Sequence, residues 1–283
     1  MRQALTAATD ALRAAGVEDP RLDAELLLAE AMGWERARLV AEPEAEVPPA
    51  AARRFGEMVR RRLRREPVAY IVGRRGFRRI ELAVDPRVLI PRPETELLVE
   101  LALELRPDRL LDVGTGSGAI ALAVAEELPE CEVVTTDTSP AALEVARANA
   151  ARLGLADRVA FHEGTLPPGE AGFDLVLANL PYVSAAEWPS LQPEVTQWEP
   201  REALLAGADG LDAIRSFLSD RVRLSSPLWR TKTKSANGCV ALEVGAGQAE
   251  AVGELLCEAG FGEIDVRKDL AGIDRVVIGS AAR

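Results

Sequence analysis

The run Leu110-Leu111-Asp112-Val113-Gly114-Thr115-Gly116-Ser117-Gly118-Ala119-Ile120 constrains this chain more than any other stretch. A short apolar strand pattern enters three glycines at alternate positions, and an Ala/Leu/Val-rich helical pattern leaves them and runs through Leu128. Glycine serves where the backbone must take φ > 0 or lie against a ligand with no Cβ between. The unpaired N–H groups of a first helical turn suit the polar edge of a nucleotide. Strand, tight turn and helix N-terminus together read as a nucleotide cradle. The next strand pattern, Glu132-Val133-Val134-Thr135-Thr136, ends in Asp137, at the spacing where a carboxylate closing the second strand meets ribose hydroxyls.

The glycine loop alone does not choose the nucleotide. Gly114 to Ala119 also satisfies the looser G-x-G-x-x-A dinucleotide form. Nicotinamide and S-adenosyl cofactors both carry the ribose that Asp137 would meet.

The rest of the chain supplies the layers around this unit. From Leu5 to Leu63 apolar residues recur at helical spacing, punctuated by Gly16, Pro20, Gly33 and the Pro43 to Pro49 stretch. Residues 1–66 therefore read as a small N-terminal helical bundle. Residues 67–88 read as a two-stranded connector, with strands at Tyr70 to Gly73 and Ile80 to Val84. The rigid turn Pro91-Arg92-Pro93 then sets a helix over Glu94 to Leu105, and residues 89–283 form the nucleotide-binding domain. Within it Ser139 caps a helix over Pro140 to Leu153. Further strands fall at Arg158 to Glu163, Leu175 to Ala178 and Cys239 to Val244, and a helix at Gln248 to Ala259. Phe261 to Arg267 and Arg275 to Ile278 are joined only by a loop, so they pair antiparallel at the sheet edge. The fold class is α/β: a seven-stranded, mostly parallel Rossmann-like sheet with an antiparallel edge hairpin, preceded by the helical bundle. Its ligands bind beyond the carboxyl ends of the strands. The polar, basic stretch within 225–238 does not fit the pattern and reads as an exposed insertion or as a compensated reading-frame error.

Composition narrows the chemistry. No apolar run approaches the ~20 residues of a membrane span, and Met1 to Leu5 opens an amphipathic helix without a signal-peptide core. Cys131, Cys239 and Cys257 have no metal-ligand spacing, which fits a cytoplasmic location and no metal. The one histidine, His162, lies in a strand pattern and reads as structural, leaving no imidazole-based triad. A net charge of −11 argues against a broad nucleic-acid surface. One local exception exists. Arg53, Arg54, Arg60, Arg61, Arg62, Arg64 and Arg65 crowd one helical pattern, which reads as a solvated face or as a contact for a partner that carries or binds RNA.

The fourth strand ends in Asn179-Leu180-Pro181-Tyr182, at the edge where such a sheet presents its ligands. The Asn179 carboxamide oxygen and the Leu180 backbone carbonyl are two acceptors able to hold an NH₂ group by both hydrogens. Pro181 stiffens the backbone that aims them, and Tyr182 offers a flat ring for a planar amide or base. A planar amide or aromatic amine has a delocalised lone pair and is a poor nucleophile. Drawing its hydrogens into two acceptors lets it pyramidalise and aims the lone pair at an electrophile such as a sulfonium methyl.

These motifs resemble the class I S-adenosylmethionine-dependent methyltransferases that modify planar amino nitrogens. More of the chain resembles one branch, the HemK/PrmC family of protein-glutamine N5-methyltransferases. The supporting segments are Arg21 to Leu27, Glu66 to Gly73, Val88 to Glu96, Glu199-Pro200-Arg201 and Leu242 to Gly245, with Ile90-Pro91-Arg92-Pro93-Glu94-Thr95-Glu96 the most specific. The resemblance implies S-adenosylmethionine as cofactor, its methionine part at Gly114, Thr115, Gly116, Ser117 and Gly118, its ribose at Asp137 and its adenine near Thr165 and Leu166. It implies Asn179, Pro181 and Tyr182 as the catalytic set, with Asn179 touching the cofactor and Asn179, Leu180, Pro181 and Tyr182 clamping the substrate. The substrate would be the glutamine in the Gly-Gly-Gln tip of peptide chain release factors, whose body the helical domain would dock. The partner would be that protein rather than nucleic acid or membrane, and the enzyme a monomer. The family usually carries Asn-Pro-Pro-Tyr; Leu180 replaces the first proline here and leaves the backbone acceptor in place. Asn-Leu-Pro-Tyr also resembles the motif of ribosomal RNA adenine dimethylases, so adenine N6-methylation of RNA or DNA stands as the alternative. A non-catalytic cofactor-binding module and a nicotinamide oxidoreductase stand further back, the latter leaving Asn179 to Tyr182 unexplained.

Overall fold

In the computed structural model, which describes residues 1–169, 172–219 and 238–280, helices and strands follow one another in a regular order. The chain opens with helices α1 (Arg2–Ala14), α2 (Pro20–Met32), α3 (Arg36–Ala41), α4 (Pro49–Leu63) and α5 (Val68–Val72). Strands β1 (Arg74–Phe77) and β2 (Ile80–Ala83), helix α6 (Glu96–Leu105), β3 (Arg109–Val113), α7 (Ala119–Glu127), β4 (Glu132–Asp137) and α8 (Pro140–Leu153) follow. Then come β5 (Val159–Glu163), β6 (Leu175–Ala178), α9 (Pro193–Trp198), α10 (Asp212–Phe217), β7 (Cys239–Glu243), α11 (Ala249–Glu258), β8 (Glu263–Lys268) and β9 (Asp274–Ser280). The polar stretch 225–238 lies, but for Gly238, outside the described residues.

Two units result. Residues 1–74 with 192–198 form the first, and residues 75–191 with 199–283 the second. The first is helical, as the periodicity of its leucines demands, with Leu5, Leu12, Leu27, Leu28, Phe55 and Ile71 in its core. Its clustered arginines divide, with Arg53, Arg54, Arg60 and Arg64 exposed as a solvated face would be and others turned inward. Arg62 is buried between Asp23 and Glu194, at 2.6 Å from each, and Arg65 lies 2.6 Å from the same Glu194. Arg61 pairs with Glu66 and Arg54 with Glu30, so four of the seven clustered arginines serve ion pairs within the unit. Burial pushes the Asp23 carboxyl up, against the pull of Arg62.

One expected strand is a helix. Tyr70 to Gly73 belongs to α5, closed by Gly73 in the left-handed conformation at φ +81°, and the strand begins only at Arg74. Burial of Tyr70 and Ile71 outweighs the strand preference of the β-branched and aromatic side chains. The helix expected from Glu94 begins as a 3₁₀ turn over Pro93–Thr95 and becomes α-helical at Glu96.

The second unit is built on a seven-stranded sheet in the order β5-β4-β3-β6-β7-β9-β8. The first five of these pair parallel, and β9 pairs antiparallel with both β7 and β8. β6 and β7 are buried along their whole length, which is why they read as continuous apolar runs rather than alternating ones. Helix α8 begins as its residues dictate, with the Ser139 side chain accepting from the Ala142 N–H and Pro140 in the first turn. Among the described residues no helix is long and apolar enough to cross a membrane.

One buried polar residue ties this unit to its small hairpin. Asn149 on α8 donates to the carbonyls of Ser117 and Ala83 and accepts from the Ala83 N–H. Asn149→Ala would leave these groups buried without partners. We expect a loss of about 2–4 kcal/mol, read as a lower urea midpoint at unchanged slope. A variant as stable as the parent would show that the tie carries no stability.

Candidate active site

The sheet order puts β3 and β6 side by side, and the chain proceeds outward from them in opposite directions. This is the topological switch point of an open α/β sheet, where a crevice forms beyond the carboxyl ends. Val113 pairs with Ala178, so Gly114 and Asn179 emerge next to each other. Gly114 takes φ +75°, the left-handed backbone that favours glycine, and the loop after β6 lies alongside it, a Cβ built there standing 3.4 Å from the Leu180 Cδ2 and 3.8 Å from the Asn179 carbonyl oxygen.

Asp137, the last residue of β4, closes the other rim. Its Oδ2 accepts from the Gly116 N–H at 2.9 Å and its Oδ1 from the Ser139 N–H at 2.8 Å, linking the glycine loop to the start of α8. Burial raises its pKa, and the backbone N–H groups of Ser139, Gly116 and Thr138 oppose that shift. The Gly114 and Thr115 N–H groups both donate to the Thr136 carbonyl, at 2.9 and 3.0 Å, which holds the turn in place. Below the loop Asp112 is wholly buried, and burial pushes its carboxyl up to about 6, while the Thr135 hydroxyl donates to its Oδ2 at 3.2 Å.

A cavity of about 290 Å³ lies between these loops. Gly114, Gly116, Asp137, Thr165, Asn179, Leu180 and Pro181 line it, so residues from four separate strand ends are brought together. Leu89, Ala142 and Phe217 add apolar wall, and Arg87 and Glu202 add charge. The other residues singled out from the sequence stand behind this lining. Thr115 and Ser117 are buried, and Gly118 packs so closely that a Cβ would come within 2.8 Å of Leu122. Leu166 packs on the apolar core, and His162 lies on the edge strand β5. The Tyr182 hydroxyl lies 3.4 Å from the Glu243 Oε1, and burial raises its pKa. Its carbonyl accepts from the Gln248 side chain at 2.9 Å, and a Cβ on Gly245 would stand 3.3 Å from its ring.

Three residues that the sequence did not mark as functional contact Asn179 or Tyr182. Thr95 accepts from the Asn179 side-chain amide at 3.0 Å. Glu243, at the end of β7, is 2% exposed, and burial pushes its carboxyl up to about 7. Gln248 bridges the Gly245 N–H and the Tyr182 carbonyl. Only the segments Val88 to Glu96 and Leu242 to Gly245 hinted at the first two, and spacing alone assigns no role to a threonine before a helix or a glutamate ending a strand. Glu199 is a further buried anchor, accepting from the Ile90 N–H at 3.0 Å and from Arg92, which holds the segment leading to Thr95.

Comparison with known proteins agrees with this architecture. Residues 3–73 match the family model of the PrmC N-terminal domain, and residues 93–194 that of the methyltransferase small domain. The chain is 41% identical to the release factor glutamine methyltransferase of Caulobacter vibrioides, over 98% of this chain and 95% of that one. It is 44% identical to the release factor glutamine methyltransferase of Moorella thermoacetica, over 97% and 96%. Among solved structures, the hMettl16 catalytic domain in complex with MAT2A 3′UTR hairpin 1 superposes with a TM-score of 0.58 at 14% identity, over 87% of this chain and 91% of that one. A methyltransferase from Pyrococcus furiosus gives 0.51 at 18%, over 71% and 89%. At these identities the two structures speak for the shared fold alone.

Proposed function

The chain belongs to the release factor glutamine methyltransferases, and from that premise we propose that it transfers a methyl group from S-adenosylmethionine to the side-chain amide nitrogen, N5, of the glutamine in the Gly-Gly-Gln tip of a peptide chain release factor. The observation that carries this reading is the adjacency of Gly114 and Asn179 at the switch point, which sets an amide clamp against a nucleotide cradle.

The cradle fits the cofactor. Gly114 and Gly116 line the cavity with no side chain of their own, and no atom lies within 4 Å of where a Gly116 Cβ would be. Asp137 presents a carboxylate at the rim for a pair of ribose hydroxyls, and Thr165 lines the wall assigned to the adenine. Thr115, Ser117 and Gly118 shape the turn from behind, and Leu166 backs the adenine side. When bound, S-adenosylmethionine supplies a methyl group made electrophilic by its sulfonium centre.

The chain's own part is positional. Asn179 Oδ1 and the Leu180 carbonyl accept the two hydrogens of the substrate amide, and Pro181 stiffens the turn that aims them. Holding both hydrogens loosens the amide resonance and leaves the lone pair directed at the cradle. Leu180 serves as well as proline in this respect, because its contribution is a backbone carbonyl. Tyr182 offers its ring to the planar amide, while its hydroxyl contact with Glu243 and the bond from Gln248 to its carbonyl anchor the clamp's far end. The N-terminal helices, with a boundary near residue 66 and a connector to about residue 88, dock the body of the release factor, and the enzyme acts as a cytoplasmic monomer.

The test is mass spectrometry of a purified release factor incubated with this protein and S-adenosylmethionine. We expect a gain of one methyl, located by fragmentation on the glutamine of the Gly-Gly-Gln peptide. No gain, with cofactor binding measurable by calorimetry, would overturn the assignment of substrate.

A further inference from the structure

A purine asks more of its pocket than hydrogen bonds. Its edges are polar but its faces are flat and apolar, so a wall that holds it needs an apolar surface of matching shape. With the ribose at Asp137, the base meets the rim that Thr138 and Ser139 supply after β4 and that Gly164 and Thr165 supply after β5. These residues bring hydroxyls and backbone groups, which suit the edge of a base. None of them offers a flat apolar surface.

Helix α10 supplies what they lack. Ala213, Ser216 and Phe217 all line the cavity, and their spacing of three and four positions puts them on one face of the helix. Among the described residues of the lining, Phe217 alone carries an aromatic ring. Ala213 and Ser216 are small and leave room beside it. Phe217 is 2% exposed and belongs to the apolar core on which Leu166, next to Thr165, and Leu180 of the clamp also pack. The helix itself is tied to the chain leaving the clamp. The Ala206 N–H donates to the Val183 carbonyl at 2.9 Å, and the Asp212 N–H, at the start of α10, donates to the Ala206 carbonyl at 3.2 Å. The ring is thus fixed before any ligand arrives, and binding costs no ordering of it.

We propose that Phe217 is the aromatic wall against which the adenine of the cofactor packs. The methionine part runs along the glycine loop and the substrate amide is held by acceptors, so neither has a ring to match it. Helix α10 therefore selects the base, while the loops after β3 and β6 hold the reacting end.

This inference rests on the chain's use of S-adenosylmethionine, and the experiment separates the two. The probes are adenosine and S-adenosylhomocysteine. In the first measurement the parent carries isotope-labelled phenylalanine rings and is saturated with S-adenosylhomocysteine, and nuclear Overhauser effects are sought from the carbon-bound protons of the adenine to those rings. Of the six phenylalanines only Phe217 lines the cavity, so a contact identifies it. In the second, calorimetry compares the parent with Phe217→Leu, which keeps an apolar side chain and loses the ring. The Kd values for adenosine and for S-adenosylhomocysteine should rise by the same factor, about 3- to 10-fold, the worth of an aromatic contact. The KM for the release factor should stay close to the parent's. Binding of S-adenosylhomocysteine without an Overhauser effect to a phenylalanine ring would overturn the proposal. So would an adenosine Kd in Phe217→Leu equal to the parent's, and a raised KM beside it would give the ring to the protein substrate. If Phe217→Leu does not fold, the Overhauser measurement on the parent decides. A parent that binds neither probe overturns the cofactor reading itself.

Discussion

Asn179→Ala is expected to lower the rate of release factor methylation about 10²- to 10³-fold, or about 2.7–4 kcal/mol in the barrier, while leaving S-adenosylmethionine affinity close to that of the parent. The magnitude is that of removing one preorganised group which acts on the reacting centre. The split between rate and affinity follows from geometry. Asn179 leaves β6 beside Gly114, but its side chain is tied to Thr95, whereas the glycine loop is held by Thr136 and Asp137. Truncating Asn179 therefore removes the amide acceptor and leaves the cradle's supports intact. Single-turnover rates and calorimetric titration on the same preparation read the two effects. An unchanged rate would remove Asn179 from the clamp, and a loss of both rate and cofactor binding would mean that the crevice itself had collapsed.

Asp137→Ala should do the reverse. We expect a loss of about 2–4 kcal/mol in S-adenosylmethionine binding, about 30- to 1000-fold in Kd, with a much smaller change in rate at saturating cofactor. Two effects add. The ribose hydroxyls lose a charged acceptor, and the Gly116 and Ser139 N–H groups lose the oxygens that hold the glycine loop to α8. Because burial raises the Asp137 pKa, affinity in the parent should begin to fall at a higher pH than an ordinary aspartate would dictate as the solution is made acidic, and Asp137→Ala should lack that limb. A Kd unaltered by the substitution would place the ribose elsewhere. The paired experiments assign the two loops opposite duties, affinity to the one around Asp137 and rate to the one around Asn179.

Much of this was legible in the residues because it depends on local rules. The capped helix at Ser139-Pro140, the buried runs of β6 and β7, the glycine turn and the acidic end of β4 each follow from what neighbouring residues can do within one turn or one strand. The misreading at Tyr70 to Gly73 has the same origin seen from the other side. Its β-branched and aromatic composition favours a strand, and packing into the helical core decided otherwise. The arginine cluster on α4 is a third case. Charge counting shows seven arginines within thirteen positions, but Asp23 and Glu194, which draw Arg62 and Arg65 into internal ion pairs, come from distant parts of the sequence.

The sequence by itself determined the class of fold and marked the glycine turn and the Asn179 to Tyr182 segment as candidates, because hydrophobic period, glycine conformation and donor or acceptor type are properties of a residue and its near neighbours. Only the tertiary structure decided that Gly114 and Asn179 share one crevice, that the Tyr182 hydroxyl reaches Glu243, and that the Asn179 amide reaches Thr95. These facts depend on strand order and on side chains 61 to 84 positions apart meeting out of water. Burial there makes each hydrogen bond directional and costly to break, and no local pattern encodes which distant residue will complete it.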